Sequence, residues 1–351
     1  ATVTKMEDLR SIGFNLTQEQ TESLLKSVNK AYNTEINDIL LTALGLTISK
    51  WTGSENTLVN LEGHGREEII KNVDITRTVG WFTSQYPVVL NSNNDDLGTT
   101  IKNIKDSLRR VPNKGIGYGI IKYLSKDKME FRLKPEISFN YLGQFDEDIN
   151  NDIFNMSPLS SGNSIGLNNK GLYSLDFSGI LIDKKLNIDI RYNDKEYKDE
   201  TIKKLIQEYR NNLITIIEHC MNKDKSEKTA ADVTKENITL QQLKPYLKDI
   251  DNIKNIYPLT PMQERMLYHA LADNKSDAYN EELVIKIKGQ LDISLLNESF
   301  NRLVEKHDIL RTVFDYESFN RDMQIVFYKR KADIRYVDIS DEKFDKEDYI
   351  D

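Results

Sequence analysis

The segment Thr57-Leu58-Val59-Asn60-Leu61-Glu62 constrains this chain most. Its apolar alternation is that of a half-buried strand. Alternation puts Leu58, Asn60 and Glu62 on one face and Val59 and Leu61 on the other. A strand carrying Asn and then Glu on one face is leaving a core and lining a wet space. It runs into Gly63-His64-Gly65-Arg66-Glu67-Glu68, whose glycines allow positive φ or close backbone approach, as a turn at a cleft rim requires. Taken alone, Leu61 to Glu68 is accounted for by a β-turn with solvated charges. Two helices feed the strand. Residues 17–32 place Leu24, Leu25, Val28, Ala31 and Tyr32 at helical spacing. From Asn37, read as an N-cap, Ile36, Ile39, Leu40, Ala43, Leu44, Thr47, Ile48 and Trp51 form a second stripe that ends at Thr52-Gly53. Two helices leading into a strand predict an α/β layered domain.

Beyond the turn, Trp81-Phe82 lies between a glycine and a polar run and is read as core in preference to a cleft wall. A helix over 99–111 carries Ile101, Ile104, Leu108 and Val111 on one side and Lys102, Lys105 and Arg109 on another. In a chain of net charge −8, such a basic stripe is a solvated face or a contact for a phosphate or an acidic partner. Gly115-Ile116-Gly117-Tyr118-Gly119 has neither the dinucleotide-binding spacing nor a following Gly-Lys-Ser/Thr, and is read as a tight glycine turn. A strand is expected over 136–142, loop over 150–171, and a hairpin of strands 173–182 and 186–192 around Asp183-Lys184-Lys185. A helix over 199–221 closes the first unit. Residues 222–255 are polar and read as a linker with a short helical piece at 239–250. A second unit follows over 256–351. Its helix starts at Thr260-Pro261, cap then first-turn proline. A strand at 280–288, a helix at 292–307 and a strand at 309–316 would make a β-α-β unit, with more strand-like pieces at 323–329 and 333–338.

Composition narrows the function. A chain of 351 residues, 38% hydrophobic, holds two domains or one large two-lobed one. Its acidic balance speaks against nucleic acid or anionic membranes as partners, and no apolar run approaches the roughly 20 residues of a membrane span. No His/Cys/Asp cluster has metal-ligand spacing and no Gly-x-Ser-x-Gly elbow occurs. Cys220, the single cysteine, makes a reducing cytoplasm the expected setting. The first residues show neither an initiator Met nor a signal-peptide pattern, so the chain is expected to begin within something larger.

Five ordered segments resemble the motifs of epimerization domains in nonribosomal peptide synthetases. They are Asp38-Ile39-Leu40-Leu41-Thr42-Ala43-Leu44, Leu61-Glu62-Gly63-His64-Gly65-Arg66-Glu67, Arg77-Thr78-Val79-Gly80-Trp81-Phe82-Thr83, Gly117-Tyr118-Gly119 and Phe139-Asn140-Tyr141-Leu142-Gly143-Gln144. They cover about residues 1–221 and belong to the C-terminal half of such a domain. Pro258-Leu259-Thr260-Pro261-Met262-Gln263-Glu264 and Lys306-His307-Asp308-Ile309-Leu310-Arg311-Thr312-Val313-Phe314 resemble the opening motifs of a condensation domain.

The resemblance implies a mixed α/β (α+β) fold of chloramphenicol acetyltransferase-like lobes, one C-terminal lobe and one N-terminal lobe joined by a linker. The family's His-His-x-x-x-Asp-Gly motif is not present, since the four histidines, His64, His219, His269 and His307, include no adjacent pair. The first unit is expected to start after that motif and the second to end before it, leaving the complementary lobes missing. The implied chemistry is L/D interconversion of aminoacyl or peptidyl thioesters, leading into peptide-bond formation. No cofactor is bound directly, and the substrate rides a 4'-phosphopantetheine arm on a partner carrier protein. One group must remove the α-proton and another return it on the opposite face. Glu62 is the first by resemblance, and partial burial would suit a carboxylate to the work. Asn140 and Tyr141 are the family's other polar residues near the thioester. In a regular strand they face opposite ways, so either the strand breaks or only one lines the tunnel. His64, Arg66, Trp81, Phe82 and Tyr118 are tunnel candidates, with His64 expected to shape the turn and Arg66 to pair with a carboxylate. Lys102, Lys105 and Arg109 are the candidate carrier contact. Arg311 is structural, its family partner, an aspartate, lying in the missing motif. The alternative is a non-catalytic interdomain scaffold or carrier-docking piece, inactive alone.

Overall fold

A computed structural model describes residues 5–92, 96–126, 131–144, 159, 162, 165–272, 279, 281, 283–332 and 334–339. The chain forms two compact units, Ala1–Leu240 and Gln241–Asp351. Of the loop expected over 150–171, only residues 159, 162 and 165–171 fall among those described.

The first unit is built on a six-stranded mixed sheet. Its strands are β1 (Leu9–Asn15), β2 (Asn56–Gly63), β3 (Ser84–Asn91), β4 (Ile137–Gln144), β5 (Leu175–Ile182) and β6 (Lys185–Asn193), in the spatial order β1-β6-β5-β4-β2-β3. Strand β4 runs parallel to both β2 and β5, while the other pairs are antiparallel. The hairpin at Asp183-Lys184 forms as expected, and both residues take positive φ, as a two-residue turn between twisted strands requires.

Helices α1 (Gln18–Lys26), α2 (Ile36–Thr52), α3 (Leu97–Arg109), a short α4 (Ile116–Gly119) and α5 (Asp199–Met221) accompany the sheet. Buried Ile202, Leu205, Ile206, Tyr209, Leu213, Ile216, Ile217 and Cys220 recur along α5 every three or four residues, so one face of it enters the core. They meet buried residues of α2 and the apolar face of the sheet: Val59 and Leu61, Val88 and Leu90, Phe139, Leu175 and Phe177, Ile188 and Ile190. Each such side chain, fully buried, contributes about 1.5–3 kcal/mol. Tyr209 packs edge-on to Phe14 and Phe177 and donates to the Leu40 carbonyl at 3.2 Å, which satisfies the one polar atom it brings inside. Helix α2 is capped two residues earlier than expected, by Glu35 and Asp38 in a reciprocal capping box and not by Asn37.

Residues 222–240, expected to open a linker, fold onto the first unit. Thr229, Ala230, Val233 and Ile238 are buried there, around a short helix α6 (Ala230–Val233). Three further expectations need correction. Gly115–Gly119 is not a tight turn: Gly115 is left-handed, the ring of Tyr86 occupies the space where a Cβ would sit, and a helical turn starts immediately after it. Trp81 is not core, being 91% exposed. The segment 280–288 is no strand where it is described, so the described residues form no β-α-β unit.

The second unit instead holds a three-stranded antiparallel sheet in the order β7-β9-β8, with β7 Ile253–Pro258, β8 Thr312–Asp315 and β9 Met323–Phe327. Helices α7 (Pro261–Ala272) and α8 (Ile293–Lys306) complete it. It begins at Gln241, ahead of the expected 256, and the described residues of 333–338 form no strand.

Candidate functional site

One face of the large sheet is apolar and covered by helices; the other carries polar side chains. On β2, Asn60 and Glu62 share that second face, as alternation requires, while Val59 and Leu61 enter the core. Register then decides their company. Glu62 lies opposite Gln85 of β3, and the parallel ladder pairing Asn60 with Ser138 and Leu61 with Phe139 brings Asn140 of β4 level with Glu62. The Glu62 carboxylate accepts from Gln85 Nε2 at its Oε1 and from Asn140 Nδ2 at its Oε2, each at 2.8 Å. Two amides on flanking strands thus fix the carboxylate while leaving each oxygen a further lone pair. Glu62 is exposed, so the partial burial that would suit a carboxylate to the work is not found here.

Behind this pair, the buried Asn60 donates to the Tyr173 hydroxyl at 2.7 Å. Ser138 donates to Asp176, which also receives the Arg191 guanidinium. Gln85, Tyr173 and Asp176 were invisible as site residues in the sequence. Alternation placed Asn60 beside Glu62, but only strand pairing selects which residues of β3, β4 and β5 join them.

Tyr141 does not join this group. Its ring packs against the core at Gly179, where a Cβ would approach Tyr141 Cδ2 to 3.3 Å, and burial pushes its phenol above the usual range. The strand does become irregular, between Tyr141 and Gln144 with Gly143 at φ +80°, but after the two residues in question. Asn140 and Tyr141 therefore keep opposite faces.

The turn after Glu62 is held from within. Gly65 has φ +67°, and a Cβ there would stand 1.6 Å from the Phe82 carbonyl oxygen. His64 accepts at Nδ1 from the Arg66 N–H at 3.0 Å, and its Nε2 lies 3.1 Å from Glu67. Arg66 pairs with no carboxylate among the described residues. It donates to the carbonyls of Ile75 and Gly80 at 2.5 and 3.3 Å and stacks over Phe82, 4.3 Å from the ring centroid. Tyr118 packs against Phe131, with the Lys122 ammonium 5.3 Å from its ring centroid.

The basic stripe of α3 is not a free docking face. Lys105 is 1% exposed and donates to Asp232 at 2.6 Å and to the Tyr32 carbonyl at 2.9 Å. Lys102 binds Glu227 at 2.9 Å, and Arg109 clasps the buried Asp38 with both terminal nitrogens. Burial pushes the Asp38 carboxyl above its usual range despite Arg109. These three cations hold the first unit together, because residues 222–240 and α2 supply their partners. Arg311 is likewise occupied: it binds Asp308 and donates to the carbonyls of Val304, Glu305, Phe327 and Tyr328. Burial pushes the Cys220 thiol up to about 12, so it is no nucleophile. Among the described residues no group of three or more His, Cys, Asp or Glu is placed to hold a metal, and no helix is long and apolar enough to cross a membrane.

With this geometry in place, comparison with known proteins gives a consistent result. The profile described as "Condensation domain" matches residues 4–239 and 253–351. Bacitracin synthase 3 of Bacillus licheniformis is 42% identical over 340 residues, 95% of this chain and 5% of its own. Gramicidin S synthase 1 of Brevibacillus brevis is 49% identical over 252 residues, 68% of this chain and 23% of its own. The chain thus spans only a small part of these relatives. Among solved structures, the epimerization domain from the third module of tyrocidine synthetase B superimposes with a TM-score of 0.59 at 45% identity, covering 63% of this chain and 50% of that one. The mixed α/β lobe is therefore of the chloramphenicol acetyltransferase-like kind found in condensation and epimerization domains.

Proposed function

Since the chain belongs to the condensation-domain family of nonribosomal peptide synthetases, we propose that it joins the C-terminal lobe of an epimerization domain to the N-terminal lobe of a condensation domain. The division of the family match into two stretches supports this, as does the 45% identity to an epimerization domain that covers only half of that domain. Within the full synthetase, the first lobe interconverts L- and D-configured aminoacyl or peptidyl thioesters on a carrier protein in the cytoplasm. The second belongs to the peptide-bond-forming step that follows.

The observation that carries the reading is the Glu62 carboxylate held at both oxygens by Gln85 and Asn140 on an open polar sheet face. A base of this kind takes the α-proton of a thioester: the C–H bond breaks, an O–H bond forms on Glu62, and the electron pair moves onto the thioester oxygen. The 4'-phosphopantetheine arm belongs to the carrier and brings the thioester to the site. The proton returns on the opposite face from a group supplied outside this chain, so the isolated chain leaves the α-carbon unaltered.

In the full synthetase, Glu62→Gln should lower α-proton exchange of the carrier-bound thioester in deuterated water by about 10²–10⁴-fold. Condensation of a preloaded D-configured donor should persist. Unchanged exchange in E62Q would remove Glu62 from the chemistry and with it the epimerization reading.

A further inference from the structure

Tyr173 lies just ahead of β5, yet its hydroxyl meets Asn60 on β2. Strand β4 stands between those two strands, so the tyrosine side chain crosses over β4 on the polar face to reach its partner. Asn60 is paired in register with Ser138 of β4, and both are buried. The bond has a direction. Asn60 donates through Nδ2, so the phenol oxygen accepts, and among the described residues this is the only hydrogen bond the hydroxyl makes. Its own proton is free to be donated onward. Asn60 is two residues from Glu62 on the same strand face, a separation of about 6.8 Å along an antiparallel-type strand. A carbon acid lying on this face between the Glu62 base and the Tyr173 O–H donor has its α-proton against the base and its carbonyl oxygen against the donor.

We infer that Tyr173 is a catalytic hydrogen-bond donor that receives the negative charge developing on the thioester oxygen as Glu62 removes the α-proton. This rests on the epimerization reading of the same site. The proton stays on Tyr173 throughout; it is shared with the oxyanion and not transferred, so the balance of the step is that of Glu62 alone. Asn60 is the positioning residue. By donating to the phenol oxygen it both aims the ring and leaves the hydroxyl proton as the only outlet. Asn140 and Gln85 each donate one amide N–H to Glu62, which holds them beside the base. Burial, with the negative charges of Glu62 and Asp176 added, raises the Tyr173 phenol above its ordinary value, outweighing Lys122. The hydroxyl is therefore protonated at neutral pH, as a donor must be.

The test uses the full synthetase, its carrier loaded with an L-alanyl, L-leucyl or L-phenylalanyl phosphopantetheine thioester, whichever the wild type exchanges fastest. Exchange of the α-proton is followed by mass spectrometry in deuterated water. Tyr173→Phe keeps the ring over β4 but removes both the donor and the acceptor that Asn60 uses, so exchange should fall by about 10²-fold or more. Fluorotyrosine, which keeps the Asn60 bond, separates loss of the donor from loss of that contact. Fluorotyrosine placed at 173 should restore exchange and move the alkaline limb of its pH profile to lower pH, because the more acidic phenol loses its proton sooner. A purely structural tyrosine would leave that limb where it was. If Y173F exchanges within about threefold of wild type while E62Q is inactive, or if fluorotyrosine leaves the limb unmoved, Tyr173 is not the donor and the Glu62 reading stands. If E62Q itself exchanges normally, both fall together.

Discussion

Gly65 and Phe82 show how tightly single residues set the rim of the site. The Phe82 carbonyl occupies the space a Cβ at position 65 would need, and φ at Gly65 is +67°. Arg66 then lies over the Phe82 ring and ties the turn to the carbonyls of Ile75 and Gly80. Gly65→Ala must either displace this packing or hold an L-residue in a left-handed conformation. It should cost roughly 1–3 kcal/mol in urea unfolding of the first unit and lower exchange at Glu62 through a misplaced turn. A substitution with no effect on stability would mean the 63–67 turn relaxes freely. The pattern Gly-His-Gly made a cleft-rim turn legible from sequence, because a glycine between bulky neighbours has few other uses. That Arg66 binds the carbonyls of Ile75 and Gly80 was not legible, since these partners lie nine and fourteen residues away in a loop of no regular pattern.

At the scale of elements, the segment 222–240 is fastened to α3 by charges buried on both sides. Lys105 and Asp232 form the centre, with Asn33 and the Thr229 N–H also on the Asp232 carboxylate. Removing one member leaves the other buried and unpaired. Lys105→Met should therefore destabilise the first unit by about 3–5 kcal/mol, and K105M/D232N by less than the two single changes together. Limited proteolysis should cut first within 222–240. Burial alone would raise the Asp232 carboxyl, but the Lys105 ammonium, the Thr229 N–H and Asn33 outweigh it and hold it below its usual range. A depressed carboxyl contributes stability that is complete above its unfolded value near pH 4 and is lost as pH falls through the lower folded value. Nearby Asp106 has the opposite sign, since burial raises its carboxyl despite bonds from Thr229 and Ala231. Acid titration of unfolding free energy should lose this Asp232 contribution below about pH 4, and D232N should flatten that part of the curve. Nothing in the order of residues warned of the clamp. A polar segment without an apolar stripe looks like solvated linker until the cations it neutralises are brought to it by the fold.

For the whole molecule, the two units differ in how much core they own. The first buries a continuous cluster drawn from α1, α2, α3, α5 and strands β2–β6, with Ile12 and Phe14 of β1 packed against it. The second buries Ile253, Ile256, Met323, Ile325, Val326 and Phe327 around its sheet, while Leu283, Ile285, Ile287, Leu295 and Phe300 stay exposed. Backbone opening is governed by local burial, so amides of β5 and β6 should exchange with deuterium far more slowly than those of β7–β9. Equal protection in the two sheets would show the second unit to be stabilised by contacts beyond its own core.

What the sequence determined by itself is local and periodic. Apolar spacing fixed α2, α5 and the hairpin of β5 and β6, because burial of one face selects a 3.6- or two-residue repeat wherever the chain folds. Alternation also set Asn60 and Glu62 on one face, whereas for Asn140 and Tyr141 it left two possibilities that the regular pairing through Tyr141 decided. Only the tertiary structure decided which strands lie side by side. Pairing of β2 with β3 and β4 brings Gln85 and Asn140 to Glu62, and the place of β4 between β2 and β5 lets Tyr173 reach Asn60. The same holds for the basic stripe of α3. Its spacing was plain, but whether it meets solvent, a partner or its own chain depends on carboxylates up to 127 residues away, and separation along the chain carries no information about distance in space.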